Sequence, residues 1–186
     1  PMLDVGGGEG RHIFGIMQNY PEMKCIGLDM DDDSLIKAEE GYEFFESISN
    51  AGAEFLKGSA YSLPFQNNSL DLIVCSEVLE HLHHYNDAVK EIHRVLKPGG
   101  KFLCLEFSKV QNDNFRKVYR EYSKLIPKIG ELVVGEKEPY EYLVESIDKF
   151  INQEELLDCM NKNNFIKCKY RNFNGGIVAI HSGWKI

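Results

Sequence analysis

Within the first ten residues a short apolar run, Met2-Leu3-Asp4-Val5, breaks into Gly6-Gly7-Gly8-Glu9-Gly10, and no other feature constrains the chain as strongly. A strand that ends in an acid and a string of glycines lets backbone press against a ligand with no Cβ in the way. A helix starting at Arg11 would then aim its positive N-terminal end at that ligand. The arrangement predicts a nucleotide-like cofactor above the end of the first strand. Read without a ligand, the same glycines make only a tight turn.

Beyond the glycines the chain alternates between strand-like and helix-like stretches. Strands are expected at 2–5, 25–28, 54–58, 71–75 and 101–106, and helices at 11–19, 32–47, 86–96 and 153–163. Asp32 or Asp33 is the expected cap of the second helix. The fourth strand, Asp-Leu-Ile-Val-Cys, lacks polar alternation, as expected inside a parallel sheet covered on both faces. Pro98-Gly99-Gly100 stops the helix at 86–96 and turns the chain into the fifth strand. Residues 165–171 and 176–181 form a closing pair around Asn174-Gly175. The expectation is an α/β fold, a Rossmann-like doubly wound sheet with an antiparallel edge strand, its ligand at the carboxyl ends of the strands where the winding reverses. With 186 residues this is one domain, carrying a helical lid insertion at about 111–150.

A net charge of −8 argues against a nucleic-acid partner, which would require basic surface. The five cysteines, Cys25, Cys75, Cys104, Cys159 and Cys168, are widely spaced in apolar runs and are expected as buried free thiols of a reducing compartment. No apolar run approaches the roughly 18 residues needed to span a bilayer. The chain opens directly on a strand, so an N-terminal truncation is expected.

Two details favour S-adenosyl-L-methionine over a dinucleotide. Asp4 stands where a carboxylate meets the ammonium of a methionine moiety, while a pyrophosphate would be repelled. The turn Lys97-Pro98-Gly99-Gly100 is typical of class I methyltransferases. Asp29, about twenty residues beyond the glycines, suits the ribose hydroxyls of either cofactor, and Met30 is placed to pack on adenine.

From residue 94 the similarity becomes specific. The run Arg94-Val95-Leu96-Lys97-Pro98-Gly99-Gly100-Lys101-Phe102-Leu103-Cys104-Leu105-Glu106-Phe107-Ser108 resembles a signature of the ubiquinone/menaquinone biosynthesis C-methyltransferases, the UbiE type. Gly58-Ser59-Ala60-Tyr61-Ser62-Leu63-Pro64-Phe65, Tyr140-Glu141-Tyr142-Leu143-Val144-Glu145-Ser146-Ile147 and Gly176-Ile177-Val178-Ala179-Ile180-His181-Ser182-Gly183-Trp184-Lys185 are similar to its other motifs. The C-terminal half is most similar to the mitochondrial members. The family's N-terminal helices and first signature are missing, in line with a truncated start.

The resemblance implies a class I S-adenosylmethionine-dependent methyltransferase that methylates a ring carbon of a prenylated benzoquinol or naphthoquinol. It assigns cofactor contacts to the loop containing Gly6, Gly8, Glu9 and Gly10, and to Asp29, Ser59, Ala60 and Ser76. It further implies a polyprenyl quinol substrate, peripheral membrane contact, other quinone-biosynthesis proteins as partners, and a place on the matrix side of the mitochondrial inner membrane, or the cytoplasm in a bacterium. Glu9 replaces a family Thr and Ser59 an Asn or Asp. After Ser76 the chain departs further: Glu80 stands where the family has an arginine and His81 where it has an asparagine. Glu77-Val78-Leu79-Glu80-His81 instead resembles other class I methyltransferases with a Glu-His pair near the acceptor.

His81 is the expected base, being the residue type that titrates near neutrality. Glu80 is expected to orient it and Tyr142 to line the substrate side. The plainer alternative makes His81 the start of the next helix, hydrogen-bonded to a backbone carbonyl. His81, His83 and His84 with Glu77 and Glu80 lack a partner spaced to complete a metal site, and no metal is expected. Two other functions stay open: a methyltransferase for a different small acceptor, and an inactive methyltransferase-like subunit of a quinone-synthesis complex.

Overall fold

A computed structural model describes residues 1–46 and 52–186. The strands are β1 (Met2–Val5), β2 (Cys25–Asp29), β3 (Ala53–Lys57), β4 (Leu70–Ser76), β5 (Leu96–Phe107), β6 (Ile166–Phe173) and β7 (Val178–Trp184). The helices are α1 (Arg11–Asn19), α2 (Asp32–Glu46), α3 (Tyr85–Val95), α4 (Asp113–Ser123), α5 (Ile126–Val134), α6 (Glu138–Lys149) and α7 (Gln153–Lys162), with short 3₁₀ turns at Leu79–His81 and Asn174–Gly176. Ser47, the last residue expected in the second helix, lies outside the described residues.

The strands form one sheet in the order β3-β2-β1-β4-β5-β7-β6. The first five are parallel, and the β6–β7 hairpin closes the sheet by pairing β7 antiparallel to β5. The winding reverses between β1 and β4, so the carboxyl ends of those two strands flank the crevice that such sheets use for ligands. Alternation along β1 decides which layer each residue joins. Leu3 and Val5 face a core with Ile73, Ile92, Phe102 and Leu156, while Met2 faces the other layer with Ile13 and Met17 of α1. The helices follow the same logic: α1 buries positions four apart, and α3 buries Ala88, Val89, Ile92 and Val95 along one stripe.

Several boundaries move by one to three residues, the closing hairpin among them at Ile166–Phe173 and Val178–Trp184, and two further differences have a local cause. Asp31, and neither Asp32 nor Asp33, caps α2: the backbone N–H of Ser34 donates to Asp31 Oδ2 at 2.9 Å. In a run of three aspartates the cap is chosen by where the chain leaves β2. Strand β5 begins at Leu96, directly after α3, because Leu96 already pairs with Leu70 before Lys97-Pro98-Gly99-Gly100 bulges out of the ladder. Gly99, at φ 83°, donates its N–H to the Lys185 carbonyl at 2.8 Å, which pins the bulge to the end of β7.

Candidate functional site

The glycine segment forms a tight loop over the end of β1. Gly6, Gly8 and Gly10 have φ of 69°, 50° and 83°, a region open to glycine and costly for other residues. A Cβ at Gly6 would drive into Val78, and one at Gly58 would lie 2.8 Å from Leu28 Cδ1. The two glycines therefore keep open a cleft of ≈ 250 Å³ at the β1–β4 switch point, walled by Leu28, Asp29, Met30, Ala60, Val78 and His81 among others. Asp29 is fixed at its rim: Oδ2 accepts the Gly8 N–H at 2.9 Å and Oδ1 accepts the Asp31 N–H at 3.0 Å. Each oxygen keeps further acceptor capacity beside the cleft. Met30 is 67% exposed and overhangs the same cleft.

The other residues expected at the cofactor have these surroundings. Asp4 is completely buried beneath the loop, with Gly7 directly above it. His12 Nδ1 lies 3.3 Å from Asp4 Oδ2, and the carboxylate raises the imidazole pKa above its ordinary value. Glu9 points outward and pairs with Lys37 at 3.1 Å. Gly10 is a packing position, since a Cβ there would meet Phe14 and Phe55. Ser59 Oγ accepts the Tyr61 N–H at 3.2 Å, which makes it a turn residue. Ser76 ends β4 half-buried, and neither serine is among the residues walling the cleft.

Beyond β4 the backbone turns abruptly. Glu77 sits at φ 57°, uncommon for a residue with a side chain and a mark of sites where geometry is imposed from outside. The 3₁₀ turn Leu79–His81 comes next, so His81 closes that turn and α3 starts only at Tyr85. His81 stands on the wall between the cleft and a second cavity of ≈ 260 Å³, lined by Glu80, Tyr85, Tyr142, Lys149, Phe150 and Ile151 among others. Tyr142 of α6 stacks on the imidazole at 5.5 Å between centroids and 16° between planes. The structure thus brings His81, Glu80 and Tyr142 together. Sequence reasoning missed Val78 and Leu82 on the first cavity, and Tyr85 and Phe150 on the second; nothing but a three-dimensional position marks these apolar residues.

Glu80 approaches His81 without a hydrogen bond. Its side chain is buried, its oxygens take no hydrogen bond among the described residues, and Oε1 is 3.6 Å from His81 Nε2. Burial, reinforced by the negative charge of Glu77, pushes its pKa to about 7. Burial lowers the His81 pKa below its ordinary 6.5, so the imidazole is neutral and able to accept a proton at pH 7. A second buried acid, Glu106 of β5, is pushed to about 8, chiefly by burial. Among the described residues, Cys75, Cys104 and Glu106 are the one group of three metal-capable side chains with converging ligand atoms.

These acids give a pH-dependent stability of defined sign. An unfolded glutamate loses its proton near 4.5, while folded Glu80 holds it to about 7, so the folded form binds more protons between these values and stability falls as pH rises. His81, His93 and His181, lowered by burial, act in the opposite sense below about 6.5. The effect is therefore read as a difference: Glu80→Gln should gain melting temperature relative to the unmodified protein as pH goes from about 5 to about 8. A difference that stays flat across that range would show that Glu80 titrates normally.

A sheet of this order, a glycine loop over β1 and an acid at the end of β2 define a class I S-adenosylmethionine-dependent methyltransferase. Solved structures share the fold. A SAM-dependent methyltransferase from Thermotoga maritima, described as a possible histamine N-methyltransferase, matches at a TM-score of 0.69 and 20% identity over 100% of this chain and 81% of its own. A phosphoethanolamine N-methyltransferase from Haemonchus contortus, in complex with S-adenosylhomocysteine, matches at 0.70 and 16% over 99% of this chain and 48% of its own. Sequence defines the relationship more closely. The model of the ubiE/COQ5 methyltransferase family matches residues 1–185, and the chain belongs to that family. Among its relatives, the ubiquinone/menaquinone biosynthesis C-methyltransferase UbiE of Brucella abortus is 41% identical over 99% of this chain and 68% of its own length. The UbiE of Dinoroseobacter shibae is 38% identical over 100% of this chain and 74% of its own.

Proposed function

We propose that the chain transfers a methyl group to a ring carbon of a polyprenyl quinol, a prenylated benzoquinol in ubiquinone synthesis, with His81 as the base. The observation that carries this reading is the position of His81, which faces the cofactor cleft on one side and an aromatic-lined cavity on the other. When bound, S-adenosylmethionine supplies an electrophilic methyl at its sulfonium. Asp29 would hold the ribose, Met30 and Leu28 the adenine side, and the Gly6–Gly8 backbone the methionine portion. Their fit rests on the Asp29 lone pairs left open and on the volume that Gly6 and Gly58 leave free.

Neutral His81 takes the phenolic proton of the quinol, which raises electron density on the ring carbon to be methylated. Tyr142 restricts the imidazole and offers the acceptor ring a flat neighbour. Glu80, 3.6 Å from Nε2, stabilises the imidazolium once it forms. The helices α4, α5 and α6 act as a lid that excludes water from the reacting atoms. Ile129, Leu132 and Val133 of α5 are exposed, with Lys124 and Lys128 nearby, and this face suits contact with an anionic membrane surface. A location on the matrix side of the mitochondrial inner membrane, among other quinone-biosynthesis proteins, accords with this reading. Among the described residues no helix is long and apolar enough to cross a membrane.

The test is methyl transfer from labelled S-adenosylmethionine to short-chain benzoquinol and naphthoquinol acceptors. Labelled C-methyl benzoquinol is the expected product. Transfer to oxygen, or cofactor binding with no transfer to either ring, would overturn the assignment.

A further inference from the structure

Sequence reasoning assigns Glu106 no role, yet its carboxylate reaches from β5 to the turn that carries His81. Glu106 is 1% exposed. Its Oε1 accepts the N–H of Val78 at 3.1 Å and of Leu79 at 2.9 Å. The preceding residue on the same strand, Leu105, accepts the N–H of Glu77 through its carbonyl at 2.8 Å. Three successive backbone donors, at 77, 78 and 79, are thus all held by two residues of β5. They belong to the segment where Glu77 takes its left-handed φ and the chain tightens into the 3₁₀ turn. Such a turn forms few bonds of its own: His81 N–H donates to the Val78 carbonyl at 3.0 Å and Leu82 N–H to Leu79 at 3.1 Å. The N–H groups of Val78 and Leu79 would be left without an acceptor in the interior if Glu106 were apolar.

We infer that Glu106 is a positioning residue: it clamps the Glu77–Leu79 backbone to β5 and thereby aims His81 at the boundary between the two cavities. This rests on the reading of His81 as the base. Glu106 lines neither cavity and reaches His81 through the turn, while Cys104 Sγ lies 3.8 Å from the same Oε1. Acceptor capacity at Oε1 is what the clamp needs, so an amide can serve and a hydrocarbon cannot.

The experiment compares Glu106→Leu with Glu106→Gln by NMR titration of the His81 ring proton, assigned with His81→Asn, alongside kcat and the Kd for S-adenosylmethionine. In the leucine variant the released turn lets His81 into solvent, so its pKa should rise toward the ordinary 6.5. The same variant should lose about tenfold or more in kcat, with Kd changed less than about threefold. The glutamine variant should return the titration toward that of the parent protein and recover most of the lost kcat. If the leucine variant does not fold, Glu106→Asp, one methylene too short to reach both N–H groups, takes its place. The inference is overturned if His81 titrates identically in all variants, or if glutamine disturbs it as much as leucine. It is equally overturned if kcat and cofactor affinity fall in parallel. Absence of turnover in the parent protein would count against the quinol reading alone, because the titration does not depend on an acceptor.

Discussion

Replacing His81 with alanine is expected to lower kcat by about a hundredfold or more, with S-adenosylmethionine affinity changed by less than about threefold. The imidazole stands between two cavities, so its loss removes a proton acceptor without removing any group that grips the ribose. The pH profile sharpens the test. The base works when unprotonated, so kcat should rise with pH through a midpoint below 6.5, the value from which burial lowers His81. That limb should vanish in the alanine variant. If the variant turns over at the parent rate, or keeps the same limb, His81 is not the base.

Asp29→Ala should instead strike cofactor binding, raising Kd about a hundredfold or more, the equivalent of roughly 3 kcal/mol. Two effects combine. The ribose loses a charged acceptor, and the Gly8 and Asp31 N–H groups lose the oxygens that fix the glycine loop at 2.9 and 3.0 Å. Calorimetric titration with S-adenosylmethionine reads the change directly. A Kd within about threefold of the parent value would show that the acid serves the loop alone.

The two variants also separate the parts of the site by how openly the chain displays them. Asp29 and the glycines were legible because their chemistry is local: an acid at a strand end and a loop of glycines within a few residues. The parallel sheet was legible for a similar reason, since alternation between short apolar runs and helical stripes is written along the chain. Ser59 has a local task that its place in the motif does not announce: its Oγ accepts the Tyr61 N–H at 3.2 Å. Asp4 is buried beside a neighbour that the sequence did not announce, His12, at the start of the next helix. Glu106 was hidden for a different reason. A lone acid in an apolar strand carries no sign of its partners, which lie 27 and 28 residues away in sequence. The aromatic cavity beside His81 joins residues of α3, α6 and the α6–α7 connection, and only their packing brings them to one place.

The position of β5 bears on when this site comes into being as the chain is made. Its neighbours are β4, which is already synthesised, and β7, whose residues pair with it at Lys101↔Trp184 through Phe107↔Val178. A nascent chain that has reached Ile151 thus holds every residue of the two cavities, while one flank of the strand bearing Glu106 is still an open edge. That edge is covered only after 178–184 have emerged. Until then the enzyme is a template for pairing with other strands, vulnerable to aggregation on the ribosome, and its base is held by a half-built sheet.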